Sequence, residues 1–446
     1  MKSRRQWTWQ VVWLAFLLAA NVMACGDDAG TGKSDEDAGV KPVDAQFQEP
    51  DADMDASADS DRDAQQSADC IDGSATANDY DLTEDTTFLV GPAVLNVTDN
   101  SIEVMWEPDG DCDGTLYYGQ VMNDLSQEVT SQVTDGVHHA TIDGLVPGTR
   151  YYYRVSSCGQ TSRVLATSTA PSSNTSVRFT VWGDSRSDPE ECGRVVDAMA
   201  AVQPAFTINS GDIVADGRRW QQYKDQFFDP LRALGHHVPT FVAIGNHERE
   251  GDGFFAYLDI QTPPEASDPR AFGGTYAFTF GNVYVLVIDT TLPELEQVAQ
   301  GTESDVSRWI EQAVSSSEAQ QARWRIAVGH YPAWSESWTP GFCSQYDGTA
   351  WVAEWLMPLL ADNGFQVYFA GHTHDYERGE YRGVVHIITG GGGAALDDWC
   401  RDLPEIDVYA LEHHFVQVDA GCDELVLQAI SVPDNEVIDQ VVLNAQ

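Results

Sequence analysis

The chain is predicted to fold as an all-β domain followed by a layered α/β domain, and three features of its 446 residues carry that prediction. From about 86 to 170, short runs of alternating apolar residues are separated by turn residues, the pattern of half-buried strands. From 176 onward, apolar runs of strand length alternate with segments of helical period, the signature of helices layered on a sheet. Several of those runs end in a glycine followed by Asp, Asn or His.

The N-terminal segment is an address rather than part of the fold. Lys2, Arg4 and Arg5 precede an apolar run over 11–20. That run is too short for a bilayer span, which needs roughly 20 apolar residues, and is expected to be a secretory signal. The run leads into Val22-Met23-Ala24-Cys25, which resembles a bacterial lipobox. The resemblance implies a lipoprotein signal peptide over 1–24 and lipidation of Cys25, which would hold a secreted protein to a membrane. An ordinary cleaved signal with a chance cysteine is the alternative. Gly26 after the cysteine favours, by analogy with such lipoproteins, the outer membrane or cell surface.

Residues 26–69 hold 12 Asp and 2 Glu against Lys33, Lys41 and Arg62. With almost no large apolar side chains, such a stretch buries too little surface to offset chain entropy, so 25–85 is expected to be an acidic disordered tether. The whole chain carries a formal charge of −46, and Lys224 is its only lysine beyond residue 70. That balance excludes a nucleic-acid partner, because phosphate backbones are held by Lys and Arg. It predicts salty or cation-rich surroundings, where screening limits self-repulsion. Eight cysteines fit an oxidising compartment. Spacing does not fix their pairing; Cys112 with Cys158 and Cys343 with Cys400 are the expected bridges, and the odd number beyond Cys25 leaves room for a free thiol.

In the β domain, 95–106 alternates in part, and Leu116-Tyr117-Tyr118-Gly119 and Ala140-Thr141-Ile142 read as further strands. His138 and His139 lack ligand-type neighbours and are expected on a solvated hairpin rather than in a metal site. In the α/β domain, 177–182, 205–209, 238–244, 283–288, 324–328, 365–370 and 384–388 read as buried strands. Helices are expected over 191–202, 220–234, 305–314 and 351–361. Ligands of such folds bind beyond the carboxyl ends of the strands.

Five polar clusters occupy those ends: Gly183-Asp184-Ser185-Arg186, Gly211-Asp212-Ile213-Val214-Ala215-Asp216, Gly245-Asn246-His247-Glu248, Gly329-His330 and Gly371-His372-Thr373-His374. Each opens with glycine, which lets the backbone turn off a strand and approach a ligand closely. One such cluster is an ordinary turn; five together are a ligand set. Imidazole and carboxylate suit zinc, iron and manganese, and a pair of such ions suits phosphate chemistry.

At these residues the chain resembles the calcineurin-like metallophosphoesterase family, in its purple acid phosphatase-like branch. The resemblance spans roughly 90–440. It includes Phe227-Phe228-Asp229-Pro230-Leu231, Gly371-His372-Thr373-His374-Asp375-Tyr376-Glu377-Arg378 and Thr389-Gly390-Gly391-Gly392-Gly393. It implies a fibronectin type III-like sandwich over 86–170, with a tyrosine within 145–155 packing its corner. A metallophosphoesterase domain over 176–446 would follow, a β-sheet sandwich flanked by helices. The implied activity is a two-metal hydrolase of phosphate esters, monoesters before diesters, in which a bridging hydroxide attacks phosphorus. Carried over residue by residue, Asp184, Asp212 and His374 would bind the first metal. Asp212 would bridge to the second, completed by Asn246, His330 and His372. His247 would stand beside the leaving group, with Glu248 orienting it from behind. The substrate would be a phosphorylated small molecule or other phosphoester, drawn in by the metals rather than by the acidic surface.

Two positions depart from that pattern. The purple branch has a metal-binding tyrosine three residues after the bridging aspartate, where this chain has Ala215. Other branches place a histidine two residues after the first aspartate, where this chain has Arg186, which stays protonated and cannot ligate. Arg186 is expected to contact substrate phosphate, with a surface salt bridge as the alternative. These departures keep open a reading from another class, a surface binding protein with a degenerate metal site.

Trp334, Trp338, Phe342 and Tyr346 follow His330 in a loop able to wall the site. His413 and His414 open a late strand and are expected in the core or behind the ligands. Gly390 to Gly393 lacks the Lys-Ser/Thr of a phosphate loop, so that reading is rejected.

Overall fold

The computed structural model describes residues 70–73, 80–249, 251–260, 272–432 and 434–445. The expected signal, Cys25 and most of the tether lie outside them. Among the described residues no helix is long and apolar enough to cross a membrane.

The β domain is two antiparallel sheets. One orders Val90–Leu95, Ser101–Glu107, Val137–Asp143 and Gln132–Thr134. The other orders Gln127–Thr130, Gly114–Gly119, Arg150–Ser157 and Gln160–Thr161, with Leu165–Ser168 also on Arg150–Ser157. The partly alternating run 95–106 breaks into two strands because Asn96 turns at φ 42° and the Thr98 hydroxyl accepts from the Ser101 N–H. At the far corner the Tyr151 hydroxyl accepts from the Val146 N–H at 3.1 Å, tying the corner back on itself. Cys112–Cys158 closes the domain as expected.

The histidine pair is not solvated, which corrects the expectation from sequence. His138 stacks on Trp106 and bonds the Ser131 hydroxyl at 2.7 Å. His139 is clamped between the domains: Nδ1 is 2.7 Å from Glu103 Oε1 and Nε2 is 2.8 Å from the Ala256 carbonyl. The Ala256 carbonyl only accepts, so Nε2 carries a proton, and Glu103 beside Nδ1 holds the ring's pKa above the usual histidine value against burial. A neighbouring-strand carboxylate, distant in the linear sequence, makes that burial tolerable.

The tether also ends earlier than 85. Cys70 is bonded to Cys422, and Asp85 is buried, taking N–H bonds from Thr87 and Arg163. Cys343–Cys400 forms as expected, and Cys192 is the free, buried thiol among the described residues.

The α/β domain stacks two sheets. The first runs Thr240–Val242, Phe206–Asn209, Val177–Trp182, His414–Ala420, Glu424–Ser431, Val437–Asn444; its first three strands are parallel. The second runs Tyr276–Phe280, Val283–Ile288, Trp324–Gly329, Val367–Ala370, Val384–Thr389, Tyr376–Tyr381, Val408–Ala410, with four parallel strands at its centre. Val283, Val285 and Val287 share a core with Phe179, Val181 and Phe206 of the first sheet. Tyr284, Leu286 and Ile288 face the other way, into a cluster with Ile310, Val314, Met357 and Leu360. Both faces are covered, so these strands read as unbroken apolar runs.

Helix Pro189–Ala201 is set by Asp188, whose carboxylate accepts from the N–H of Glu190 and Glu191. Helix Asp305–Val314 starts in a Ser304/Ser307 capping box. The helical segment predicted over 220–234 is interrupted, with a π-helical turn at Tyr223–Phe228. This turn carries Gln226 toward the strand ends where the polar clusters gather.

Candidate metal centre

All parallel strands of both sheets end on one side, so the polar clusters converge. Three of the six expected ligands stand on left-handed backbone: Asp184 at φ 54°, Asp212 at 55° and His372 at 74°. Such conformations cost of order 1–3 kcal/mol each for non-glycine residues and gather where geometry matters more than stability. The glycines permit close approach: a methyl on Gly245 would collide with Asp212 Oδ1, and one on Gly371 with Asp184 Oδ2.

Three imidazoles are aimed by one device. His330 Nδ1 is 3.0 Å from the Ser210 carbonyl, His374 Nδ1 is 2.7 Å from the Ala395 carbonyl, and His247 Nδ1 is 2.7 Å from the Ala215 carbonyl. A carbonyl only accepts, so each Nδ1 carries a proton and each Nε2 is turned inward. His330 Nε2 lies 3.3 Å from Asp212 Oδ1 and 3.1 Å from Asn246 Oδ1. His374 Nε2 lies 3.5 Å from Asp184 Oδ1. His247 Nε2 lies 3.6 Å from Asp212 Oδ2. Asp212 is therefore the hub, with one oxygen toward each half of the set.

The set fits cations by its own chemistry. Asp184 Oδ1 is buried with no hydrogen-bond partner, a costly state for a carboxylate unless something positive meets it. Ligand atoms of Asp184, Asp212 and His330 fall within 4.8 Å of one another. Burial pushes Asp212 upward, but His330, His247, Arg186 and His372 hold it ionised, at about 2. Burial, reinforced by His330, keeps His372 neutral. Burial opposes protonation of His374, yet Asp184 and Asp397 raise it to about 9.

Two expectations change. Glu248 does not touch His247. Its carboxylate accepts from the N–H groups of Asp212 and Gly245 at 2.9 Å and of Val214 at 3.1 Å, bracing the loop of the hub. Arg186, expected at substrate, lies on the ligands: Nε is 3.2 Å from Asp212 Oδ2, and a terminal nitrogen is 3.4 Å from His374 Nε2. Of the aromatic loop, Trp338 and Tyr346 flank the His372 ring at centroid distances of 5.1 and 5.0 Å. Trp334 instead packs on Tyr381 and His386, and Phe342 is exposed. His413 Nδ1 is 3.1 Å from the Gly391 carbonyl, and His414 is buried in the core.

Several contributors escaped sequence reasoning. Gln226 Oε1 accepts from the N–H of Ser187 and Ala215, joining the first two loops. Asp397 accepts from the His374 N–H at 3.0 Å, and Tyr331 packs on His372 at 4.6 Å. None sits in a motif, and only the fold brings them near.

Two family models match adjoining stretches of the chain: the purple acid phosphatase N-terminal domain over residues 90–178 and the calcineurin-like phosphoesterase over 177–376. Residues 177–376 of the chain form a calcineurin-like phosphoesterase domain. The chain is 27% identical over 272 residues to purple acid phosphatase 18 of Arabidopsis thaliana, covering 58% of each chain. It is 26% identical over 321 residues to an uncharacterized protein of Mycobacterium tuberculosis, again 58% of each. It thus spans little more than half the length of these curated relatives. In fold it matches the purple acid phosphatase PPD1 from yellow lupin seeds with a TM-score of 0.67 at 18% identity, over 79% of this chain and 74% of that one.

Proposed function

We propose that this chain is a metal-dependent hydrolase of phosphate esters, acting on monoesters in the manner of the acid phosphatases it is similar to. The observation that carries the reading is the convergence of His330 Nε2, His374 Nε2 and both Asp212 oxygens at strand ends, beside an Asp184 Oδ1 that is buried without a hydrogen bond. Asp184, Asp212 and His374 would hold one ion, and Asp212, Asn246, His330 and His372 the other. When bound, such a pair supplies positive charge for phosphate oxygens and lowers the pKa of water.

The chain's own groups do the rest. His247 has Nδ1 fixed on the Ala215 carbonyl, which leaves Nε2 as the nitrogen that can take up and release a proton, and its side chain is 30% exposed at the mouth of the site. It is placed to give that proton to a departing alkoxide. Tyr331, Trp338 and Tyr346 enclose His372 and keep bulk water from it. Attachment to a membrane through a lipid on Cys25, with the β domain as a fibronectin type III-like spacer, completes the proposal; the lipobox-like Val22-Met23-Ala24-Cys25 supports it.

The test compares wild type with Asp212→Ala and His372→Ala for metal content and for turnover of a chromogenic monoester and diester. Metal-dependent monoester hydrolysis lost in both variants is the expected result. Faster diester turnover makes the chain a phosphodiesterase. A wild type that holds no metal and matches the variants makes it a binding protein.

A further inference from the structure

The two halves of the ligand set differ in what already lies against them. On the Asn246 side, Asp212 Oδ1 faces the His330 lone pair at 3.3 Å, and Asn246 Oδ1 adds another donor oxygen. Every atom there can bind a cation. On the other side, Asp212 Oδ2 and His374 Nε2 both face Arg186, at 3.2 and 3.4 Å. Guanidinium keeps its charge at all working pH and offers no lone pair. Ala215, three residues after Asp212, has no donor atom in its side chain.

We infer that Arg186 is an internal cation at the first metal position: it neutralises Asp212 Oδ2 and covers His374 Nε2 until a metal ion displaces it. The inference rests on the metal-dependent reading above. Its consequence is ordered loading. The Asn246 position fills first and tightly, because nothing positive must leave. The Asp184 position fills second and weakly, because an incoming ion meets a fixed charge of its own sign and must break both contacts. Asp184 Oδ1, buried without a hydrogen-bond partner and 3.5 Å from His374 Nε2, is a ligand atom there that Arg186 does not cover. Arg186 has a way out: its side chain is 18% exposed, and another terminal nitrogen is 3.4 Å from the Ser187 hydroxyl on the solvent side. Displaced toward solvent, the guanidinium stands at the mouth, where a phosphate dianion would meet it.

The test is a calorimetric titration of the metal-free full chain with Mn²⁺, with bound ions counted by mass spectrometry. Wild type should take one ion tightly and a second at least about tenfold more weakly, the direction set by charge repulsion. Arg186→Ala, and the bulk-preserving Arg186→Gln, should tighten the second step. Arg186→His, which supplies an imidazole, should bring both ions to comparable affinity. Asp184→Asn should abolish the weak step alone. Two equal tight sites in wild type, or a weak step unmoved in both neutral variants, overturn the inference and leave the phosphoesterase reading standing. No bound ion in any variant overturns both.

Discussion

Glu248 Oε2 accepts the backbone N–H of Asp212 at 2.9 Å, so a buried side chain from one strand end fixes the loop that carries the hub of the next. Its other bonds, from Gly245 and Val214, make the carboxylate a brace for two loops at once. Glu248→Gln replaces one acceptor oxygen by a donor and leaves a buried N–H facing another. We expect metal affinity to fall about 10–100-fold, the usual cost of losing a group behind the ligands. Circular dichroism should be unchanged. Metal content by mass spectrometry checks this, and full occupancy would refute it.

Gly245 touches the same hub. A methyl at this position collides with Asp212 Oδ1 and the Asp212 N–H, so Gly245→Ala should displace the shared carboxylate and abolish binding at both positions. Gly193, inside helix Pro189–Ala201, has open space around its would-be methyl. Gly193→Ala should stabilise the fold by about 0.5–1 kcal/mol without touching metal content. Denaturant midpoints and metal counts on the two variants separate steric crowding from a general effect of alanine.

His247 is aimed by the Ala215 carbonyl. If it protonates the leaving group, His247→Ala lowers kcat by about 10²–10⁴-fold for alkyl phosphates. Much less should be lost with a nitrophenolate leaving group, which needs no proton. Equal losses on both substrates would assign the ring a binding role instead.

Ala215 also predicts colour. With no phenolate at that position, the iron-loaded protein should show no strong tyrosinate charge-transfer band. Of the two tyrosines packed on His372, Tyr331 is pushed up to about 12 and Tyr346 is also raised, both chiefly by burial, so both stay protonated. A visible spectrum of the purified, iron-loaded protein decides this directly.

Acid should destabilise the fold through buried histidines remote from the site. Burial depresses His236 to about 4, with Nε2 accepting from the Asp85 N–H and Nδ1 donating to the Pro92 carbonyl. The unfolded chain takes this proton near pH 6.5 and the folded chain does not. The contribution is therefore complete above about 6.5 and is lost as pH falls toward the folded value, by about 3 kcal/mol at pH 4. His386, depressed to about 3, acts in the same direction. Melting temperature should drop between pH 6.5 and 4, and less steeply for His236→Gln. Parallel slopes would exclude this histidine as a cause.

The strand positions and the ligand types were legible because both rest on local patterns. Strands covered on both faces read as apolar runs, and a glycine with Asp, Asn or His at each end marks where a backbone must turn beside a ligand. Helix Asp305–Val314 was legible to the residue. The interrupted segment over 220–234 was not, because a π turn keeps the same apolar face. His138 and His139 were misplaced because the partners that bury them, Trp106, Glu103 and Ala256, lie up to 117 residues away.

Residue identity alone specifies an acidic two-part chain and six side chains able to hold a pair of cations. How those side chains are aimed is a property of the folded molecule: three Nδ1 atoms tied to carbonyls, Glu248 on the Asp212 backbone, and Arg186 lying across Asp212 and His374. The physical reason is range. Ligand chemistry is carried by side-chain identity, whereas which oxygen faces which nitrogen depends on distances between strand ends that no linear spacing encodes.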